Sequence, residues 1–269
     1  MKLKFAQKVL DIVKKIKPGK FLTYKEVAEK AGNIRAFRAV DQILKNSPTD
    51  IPCHRVIQSD NLVGGYLGKE NLDWLKAGLL LKEGTIGVIP TDTIYGICTS
   101  AFNKKSVEKV YKLRKRNPNK PCIILISSFD DLKKFNVRLK NWQRKILEKI
   151  WPGKVSVVLA CPWQKFYYLH RGTNSLSFRL PKDKLILNIL KISGPLIAPS
   201  ANWESYEPAK NIREAKRYFG NKVFYLDRRD LISKPSTLID LREKKIKILR
   251  EGEEMEKLLK IINNFYGKI

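Results

Sequence analysis

Asp92 lies among three hydroxyl-bearing residues, Thr91, Thr93 and Tyr95, immediately after the apolar run Ile86 to Ile89. Pro90 has no N–H to give a sheet ladder, so it ends the predicted strand there, and Gly96 releases the backbone. Hydroxyls donate and accept hydrogen bonds while a rigid strand holds them still, which suits a polar ligand. Further along, the run from Lys112 to Pro121 packs five cations into nine residues and is interrupted by a proline. Such a run is costly inside a packed element and reads as a loop that grips phosphate. Ser177 and Arg179 share one face of an alternating segment, another apolar run ends in Ser200 and Asn202, and Ser236 opens a third. Ser156 lies in the apolar run after Trp151-Pro-Gly. Strands that terminate in hydroxyls, together with one Arg/Lys loop, suggest a cleft where a phosphorylated ligand meets a small polar one.

A second chemical group precedes these. Cys53 stands beside His54 and Arg55, a positive setting that favours the nucleophilic thiolate. Upstream, Thr23 and Glu26 have the spacing of a capping box. The Ala31-Gly-Asn33 turn then joins a short helix to a basic one over residues 34–45, the form of a helix-turn-helix.

The 269 residues, 43% of them hydrophobic, can fill one large core or two ordinary ones and exclude a wholly disordered chain. Fifty-four Lys plus Arg against 26 Asp plus Glu give +28. Residues 1–78 carry +7 and the remainder +21, so the basic character is not confined to a tail. A field of this sign points to nucleic acid or phosphate ligands. The four cysteines lack CxxC or Cys/His ligand spacing, which argues against structural zinc and disulfides and fits a reducing cytosol. The first 17 residues have helical rather than signal-peptide patterning, and no run approaches the ~20 apolar residues of a membrane span. A cytoplasmic protein without a membrane partner is expected.

The elements that must position these groups follow from periodicity. A first helix ends at Pro18-Gly19, and an apolar-faced helix from Leu72 to Lys82 runs directly into the strand near residues 85–89, leaving little slack between two parts. A helix is predicted over 105–114, with strands near 122–126, 155–159, 175–181, 195–199 and 235–240. The fold class is α/β in two domains, 1–78 and 79–252, followed by a terminal helix over 253–269.

The run from Thr23-Tyr24 through Arg38-Ala-Val40, Asn46 and Pro52-Cys-His-Arg-Val56 to Gly64-Gly-Tyr66 resembles the DNA-binding domain of alkylguanine-DNA alkyltransferases and alkyltransferase-like proteins. That resemblance implies a winged-helix-like domain on double-stranded DNA. Cys53 would accept an alkyl group from a flipped guanine, with His54 relaying its proton through water. Arg38 would fill the vacated stack, Tyr24 would help turn the nucleotide, and Asn46 would support the loop. Arg55 reads as structural, and Glu83, in Lys82-Glu-Gly84, is the candidate to orient His54. Asp41 and Gln42 stand where the family has small residues.

The ordered motifs PTDTIYG, KxRKRxxxKP, WPG, SxRxP, PSAN and PSTLID resemble the YrdC-like threonylcarbamoyl-AMP synthases. The resemblance implies a twisted α/β sheet with a positive concavity and no P-loop. It implies L-threonine, bicarbonate and ATP as substrates and pyrophosphate as a product. Thr93, Tyr95 and Arg179 would face threonine. Arg114, Arg116 and Lys120 would hold ATP phosphates, with Ser156, Ser177, Ser200, Asn202 and Ser236 lining the rest of the ATP site. Magnesium is implied with ATP, held by phosphate oxygens and by no protein cage. The product feeds threonylcarbamoyladenosine in tRNA, which leaves tRNA or tRNA-modification proteins open as further partners. Two other readings stay open: a nucleic-acid-binding protein without synthase activity, or principally a DNA alkyltransferase.

Overall fold

The computed structural model describes residues 2–266. The chain begins with helix α1 (Lys2–Lys14), strand β1 (Leu22–Thr23) and helices α2 (Tyr24–Lys30) and α3 (Phe37–Lys45). Thr23 caps α2 in a complete capping box: Glu26 N–H donates to its hydroxyl at 3.2 Å, and its own N–H donates to the Glu26 carboxylate at 2.6 Å. The basic helix expected over 34–45 opens with one 3-10 turn at Ile34–Ala36 before α3 begins. Strand β2 (Val56–Ile57) pairs in parallel with β1, and helix α4 (Asp73–Lys82) completes the first part. Val9, Val13, Val27, Val40, Leu44 and Val56 form its core.

The second part alternates β3 (Gly87–Pro90), β4 (Tyr95–Ser100), α5 (Lys104–Leu113), β5 (Ile123–Leu125), α6 (Asp130–Lys133), α7 (Asn141–Ile150), β6 (Val155–Ala160), α8 (Tyr167–His170) and β7 (Ser175–Arg179). It continues through α9 (Lys184–Ser193), β8 (Leu196–Ile197), α10 (Ile212–Phe219), β9 (Phe224–Tyr225), β10 (Thr237–Asp240), β11 (Lys247–Arg250) and α11 (Met255–Tyr266). Among the described residues these strands make one mixed nine-stranded sheet, in the order β11-β10-β6-β7-β5-β8-β4-β3-β9. Pro90 is the last residue of β3, as its missing N–H requires. The chain does not then pass into a long loop. It turns over residues 91–94 into the antiparallel strand β4, so Gly96 sits inside a strand paired with Ile89. Alternation is weak in β4 because all six residues are buried, leaving no polar face to mark it. The predicted terminal helix covers 255–266, and residues 267–269 lie outside the described chain.

An apolar cluster joins the two parts. Ala77, Leu80 and Leu81 of α4 and Ile57 and Val63 pack with Ile89 of β3, Ile186, Ile189 and Leu190 of α9 and Phe224 of β9. A Cβ on Gly78 would stand 2.9 Å from the Ile192 Cβ, so only glycine lets α4 approach α9 this closely. Asn61 Nδ2 donates to Val223 O at 3.1 Å, and Arg228 makes a two-pronged pair with Asp73 at 2.7 and 2.9 Å. No helix among the described residues is long and apolar enough to cross a membrane.

Candidate functional site

The 91–94 turn, the ends of β5, β7, β8 and β10, and the loop after α5 surround a cavity of about 550 Å³. It is lined by Thr91, Thr93, Arg116, Lys120, Ser177 and Arg179, and also by Ser200, Ser236 and Arg250. Arg179 is 4% exposed. Its guanidinium pairs with Asp92 at 3.0 Å and donates to the hydroxyls of Thr93 at 3.2 Å and Thr91 at 3.4 Å. Burial pushes the Asp92 carboxyl up, with Arg179 pulling against it. Asp92 thus serves as the buried counter-charge that fixes Arg179 beneath the threonine hydroxyls.

The basic loop is clamped by the segment after β8. Arg114, 2% exposed, donates through Nε to Asn202 O at 3.1 Å and through one terminal nitrogen to Ser200 Oγ and Asn202 Oδ1 at 3.1 and 3.2 Å. Burial, then the neighbouring Arg116, lowers its guanidinium to about 10. Arg114 and Asn202 therefore stand behind the cavity wall and hold the loop to the strand end. Glu204 accepts from Asn117 N–H and pairs with Lys120 at 3.4 Å, while Lys115 Nζ lies 3.7 Å from the centre of the Trp203 ring. Arg116 donates to the carbonyls of Lys120 and Pro121, a brace that leaves it and Lys120 as the loop's two cations on the cavity.

Ser156 and Ser236 share a 2.8 Å hydrogen bond; Ser236 lines the cavity and Ser156, fully buried, supports it. Tyr95 is also fully buried, and its hydroxyl accepts from Arg228 N–H at 3.1 Å and donates to Arg229 O at 3.3 Å. It lies outside the lining and ties the strand to the 226–230 segment. Sequence reasoning missed Arg250, which donates to Ser236 O at 2.8 Å and to Ser236 Oγ at 3.2 Å. Its guanidinium is pushed down by burial and then by Arg179 and Arg116 nearby. The available signal was Lys247-Ile-Leu-Arg250, a short apolar run ending in a cation just before Gly252, where a Cβ would clash with Pro235 O. Four guanidiniums, those of Arg116, Arg179, Arg242 and Arg250, around one concavity make a strong field for a polyanion.

A separate cavity of about 610 Å³ lies in the first part, lined by Tyr24, Arg38, Asp41, Cys53, Tyr66 and Lys76 among others. Cys53 is 8% exposed. His54 Nε2 lies 3.0 Å from Glu83 Oε1, and Arg55 donates to both Glu83 oxygens at 2.9 and 2.6 Å and to Ile16 O at 2.5 Å. A ring nitrogen facing a carboxylate must carry the proton, so in the neutral ring Nδ1 keeps its lone pair. Burial works to raise the Glu83 carboxyl, but His54 and Arg55 together bring it to about 2. Tyr24 is pushed up by burial and then by the Asp41 carboxylate, Tyr66 up to about 12 by burial and Cys53, and Lys76 down to about 8 by burial. Asn46 caps the end of α3, donates to Gln42 O at 3.4 Å, and is not among the residues lining this cavity.

A mixed α/β sheet with a cation-rich concavity at its strand ends defines a nucleotide- or phosphate-binding class of protein. The Sua5/YciO/YrdC family model, described as "Telomere recombination", matches residues 79–252, and the chain belongs to this family. Residues 4–85 match the model of the 6-O-methylguanine DNA methyltransferase DNA-binding domain. The chain is similar to the threonylcarbamoyl-AMP synthase of Pyrococcus abyssi, 28% identical over 198 residues, covering 70% of this chain and 58% of that protein. It is also similar to the threonylcarbamoyl-AMP synthase of Mus musculus, 26% identical over 197 residues, covering 70% and 69%. The crystal structure of P. abyssi Sua5 complexed with L-threonine superposes with a TM-score of 0.64 at 26% identity, over 71% of this chain and 58% of that one. The chain thus spans less than two thirds of the P. abyssi protein's length.

Proposed function

We propose that residues 79–252 form an L-threonylcarbamoyladenylate synthase, which joins L-threonine, bicarbonate and ATP into threonylcarbamoyl-AMP with release of pyrophosphate. The carrying observation is the convergence of Thr93, Arg179, Arg116, Lys120, Ser177, Ser200 and Ser236 on one cavity from segments scattered over more than 140 residues. Threonine's carboxylate fits Arg179 beside the Thr91 and Thr93 hydroxyls. Its amine takes up bicarbonate to give a carbamate and water, and a carbamate oxygen attacks the α-phosphorus of ATP as the bond to pyrophosphate breaks. Arg116, Lys120 and Arg250 offset charge on the phosphoryl oxygens and on the departing pyrophosphate. Ser177, Ser200 and Ser236 supply neutral hydrogen bonds along the nucleotide.

Among the described residues no group of three or more His, Cys, Asp and Glu side chains is placed to hold a metal ion, and Asp92, beneath the cavity, is paired with Arg179. In this reading magnesium enters as part of the substrate, carried on ATP phosphates. Pyrophosphate release that requires both threonine and bicarbonate, with label from bicarbonate entering the nucleotide, tests the reaction; release independent of threonine refutes it. Arg116→Ala should raise the Kd for ATP about tenfold or more and leave that for threonine within about twofold, since in this reading its charge faces the phosphates and not threonine. Equal weakening of both ligands contradicts the assignment. By the same reading the product supplies tRNA threonylcarbamoylation, in the cytoplasm.

The His54–Glu83 pair favours a second activity in the same chain. With Nε2–H held by Glu83, Nδ1 is free to take the Cys53 proton through a water. The thiolate then attacks the alkyl carbon of a flipped O6-alkylguanine; a C–S bond forms as the C–O6 bond breaks, and the departing guanine anion takes up the proton that His54 had accepted. Tyr24, Arg38 and Asn46 would then engage double-stranded DNA. Incubation with methylated-guanine DNA should add one methyl group to the intact mass, and Cys53→Ala should abolish the gain. An unmodified native chain rules out the transfer and leaves a DNA-binding domain.

A further inference from the structure

A third cavity, of about 670 Å³, lies where the two parts meet. Its walls come from the Pro18–Phe21 turn, the Glu83–Ile86 junction, the first turns of α5 and the segment before β9. Lys20, Lys105, Lys109 and Lys222 stand around it, all exposed, and none makes an ion pair among the described residues. The cavity's two carboxylates are already engaged: Glu26 by the Thr23 N–H and hydroxyl, and Glu83 by His54 and Arg55. The net local field is therefore cationic.

The inner wall is rich in donors. Thr85 is 2% exposed, and its hydroxyl has no hydrogen-bond partner. A buried hydroxyl left unmatched is destabilising, a cost that a bonded ligand can offset. The Asn103 side chain caps α5 by accepting from Ser106 N–H at 3.0 Å, which leaves its amide N–H groups free beside the positive end of a ten-residue helix. Gly84, at φ +85°, sits against Asn103 so closely that a Cβ there would clash with the amide, so the wall is held at this spacing by the backbone.

We propose that this junction cavity is a phosphate-binding site that takes a phosphorylated small molecule, separate from the concave site and adjoining the Cys53 cavity, with which it shares Ser59. Lysines 105, 109, 20 and 222 supply the charge, and Thr85, Asn103 and the first turn of α5 supply the directed hydrogen bonds. The site is independent of the reaction proposed above, because it shares no lining residue with the concavity.

Equilibrium dialysis of the full chain with labelled inorganic pyrophosphate tests it. Two saturable sites are expected. Lys105→Glu with Lys109→Glu should remove one of them and leave the thermal melting temperature unchanged, whereas Arg116→Ala with Arg250→Ala should remove the other. Thr85→Val, nearly isosteric, should weaken the lysine-dependent site about tenfold without lowering stability. A single site lost with the arginine pair and untouched by the lysine pair overturns the proposal, as does a Thr85→Val chain with unaltered affinity. A phosphate could also come from a DNA backbone, so unlabelled duplex forms a further arm. Displacement of the lysine-dependent label assigns the site to duplex phosphates and overturns the small-molecule ligand; retention supports it.

Discussion

Arg179→Met should lower the stability of the folded chain by about 3–5 kcal/mol at neutral pH, read as a fall in the urea midpoint, and should abolish formation of threonylcarbamoyl-AMP. The cause is the carboxylate left behind. Asp92 and Arg179 are each about 5% exposed at the side chain, and removing the guanidinium strands a buried charge. Burial already raises the Asp92 carboxyl above its usual range against the pull of Arg179, so the folded state holds that proton more tightly than the unfolded chain does. Such a group costs stability as pH rises and returns it as pH falls. Without Arg179 its proton is held more tightly still, so the deficit should be widest at neutral pH and shrink on acidification. Asp92→Asn added to Arg179→Met should restore part of the loss. A midpoint unchanged by Arg179→Met, or a deficit that grows toward acid, contradicts this account.

Glu83→Gln should be the next most damaging, at roughly 2–4 kcal/mol, because the carboxyl titrates near 2 in the folded chain against 4.5 ordinarily. The sign is opposite to that of Asp92. A carboxylate whose proton is held less tightly when folded contributes stability that is complete above its ordinary value and disappears as pH falls through about 2. Native and variant urea midpoints should therefore differ fully at pH 6 to 7, draw together as pH falls below about 4.5 and converge only near pH 2. A constant difference across that range would show that packing, and not charge, sets the effect.

Much of this was legible in the sequence because it rests on local rules. The capping box at Thr23, the strand end at Pro90 and the shared face of Ser177 and Arg179 each follow from spacing alone. The His54–Glu83 pair, 29 positions apart, was expected only through the resemblance to the alkyltransferases, which pointed to the Glu-Gly that closes α4 as a candidate. What stayed hidden depends on three-dimensional neighbours. Arg114 and Tyr95 belong to site motifs, yet neither lines the cavity: Arg114 is turned to Ser200 and Asn202, and the Tyr95 hydroxyl to the 228–229 backbone. Nothing in their spacing separates a wall residue from its brace. Arg250 reaches the concavity only because β11 folds back antiparallel on β10, a pairing that four exposed residues do not announce.

The apolar seam formed by α4, α9 and β9 sets how the chain can come apart. Leu80, Leu81, Ile189 and Phe224 are fully or almost fully buried in one cluster, so cleavage between residues 84 and 87 would bare a greasy face on each fragment. Melting should then occur as one cooperative event, with the N-terminal helices and the nine-stranded sheet lost together. A substitution that loosens either half is consequently felt by the other, and the two parts behave as a single physical object.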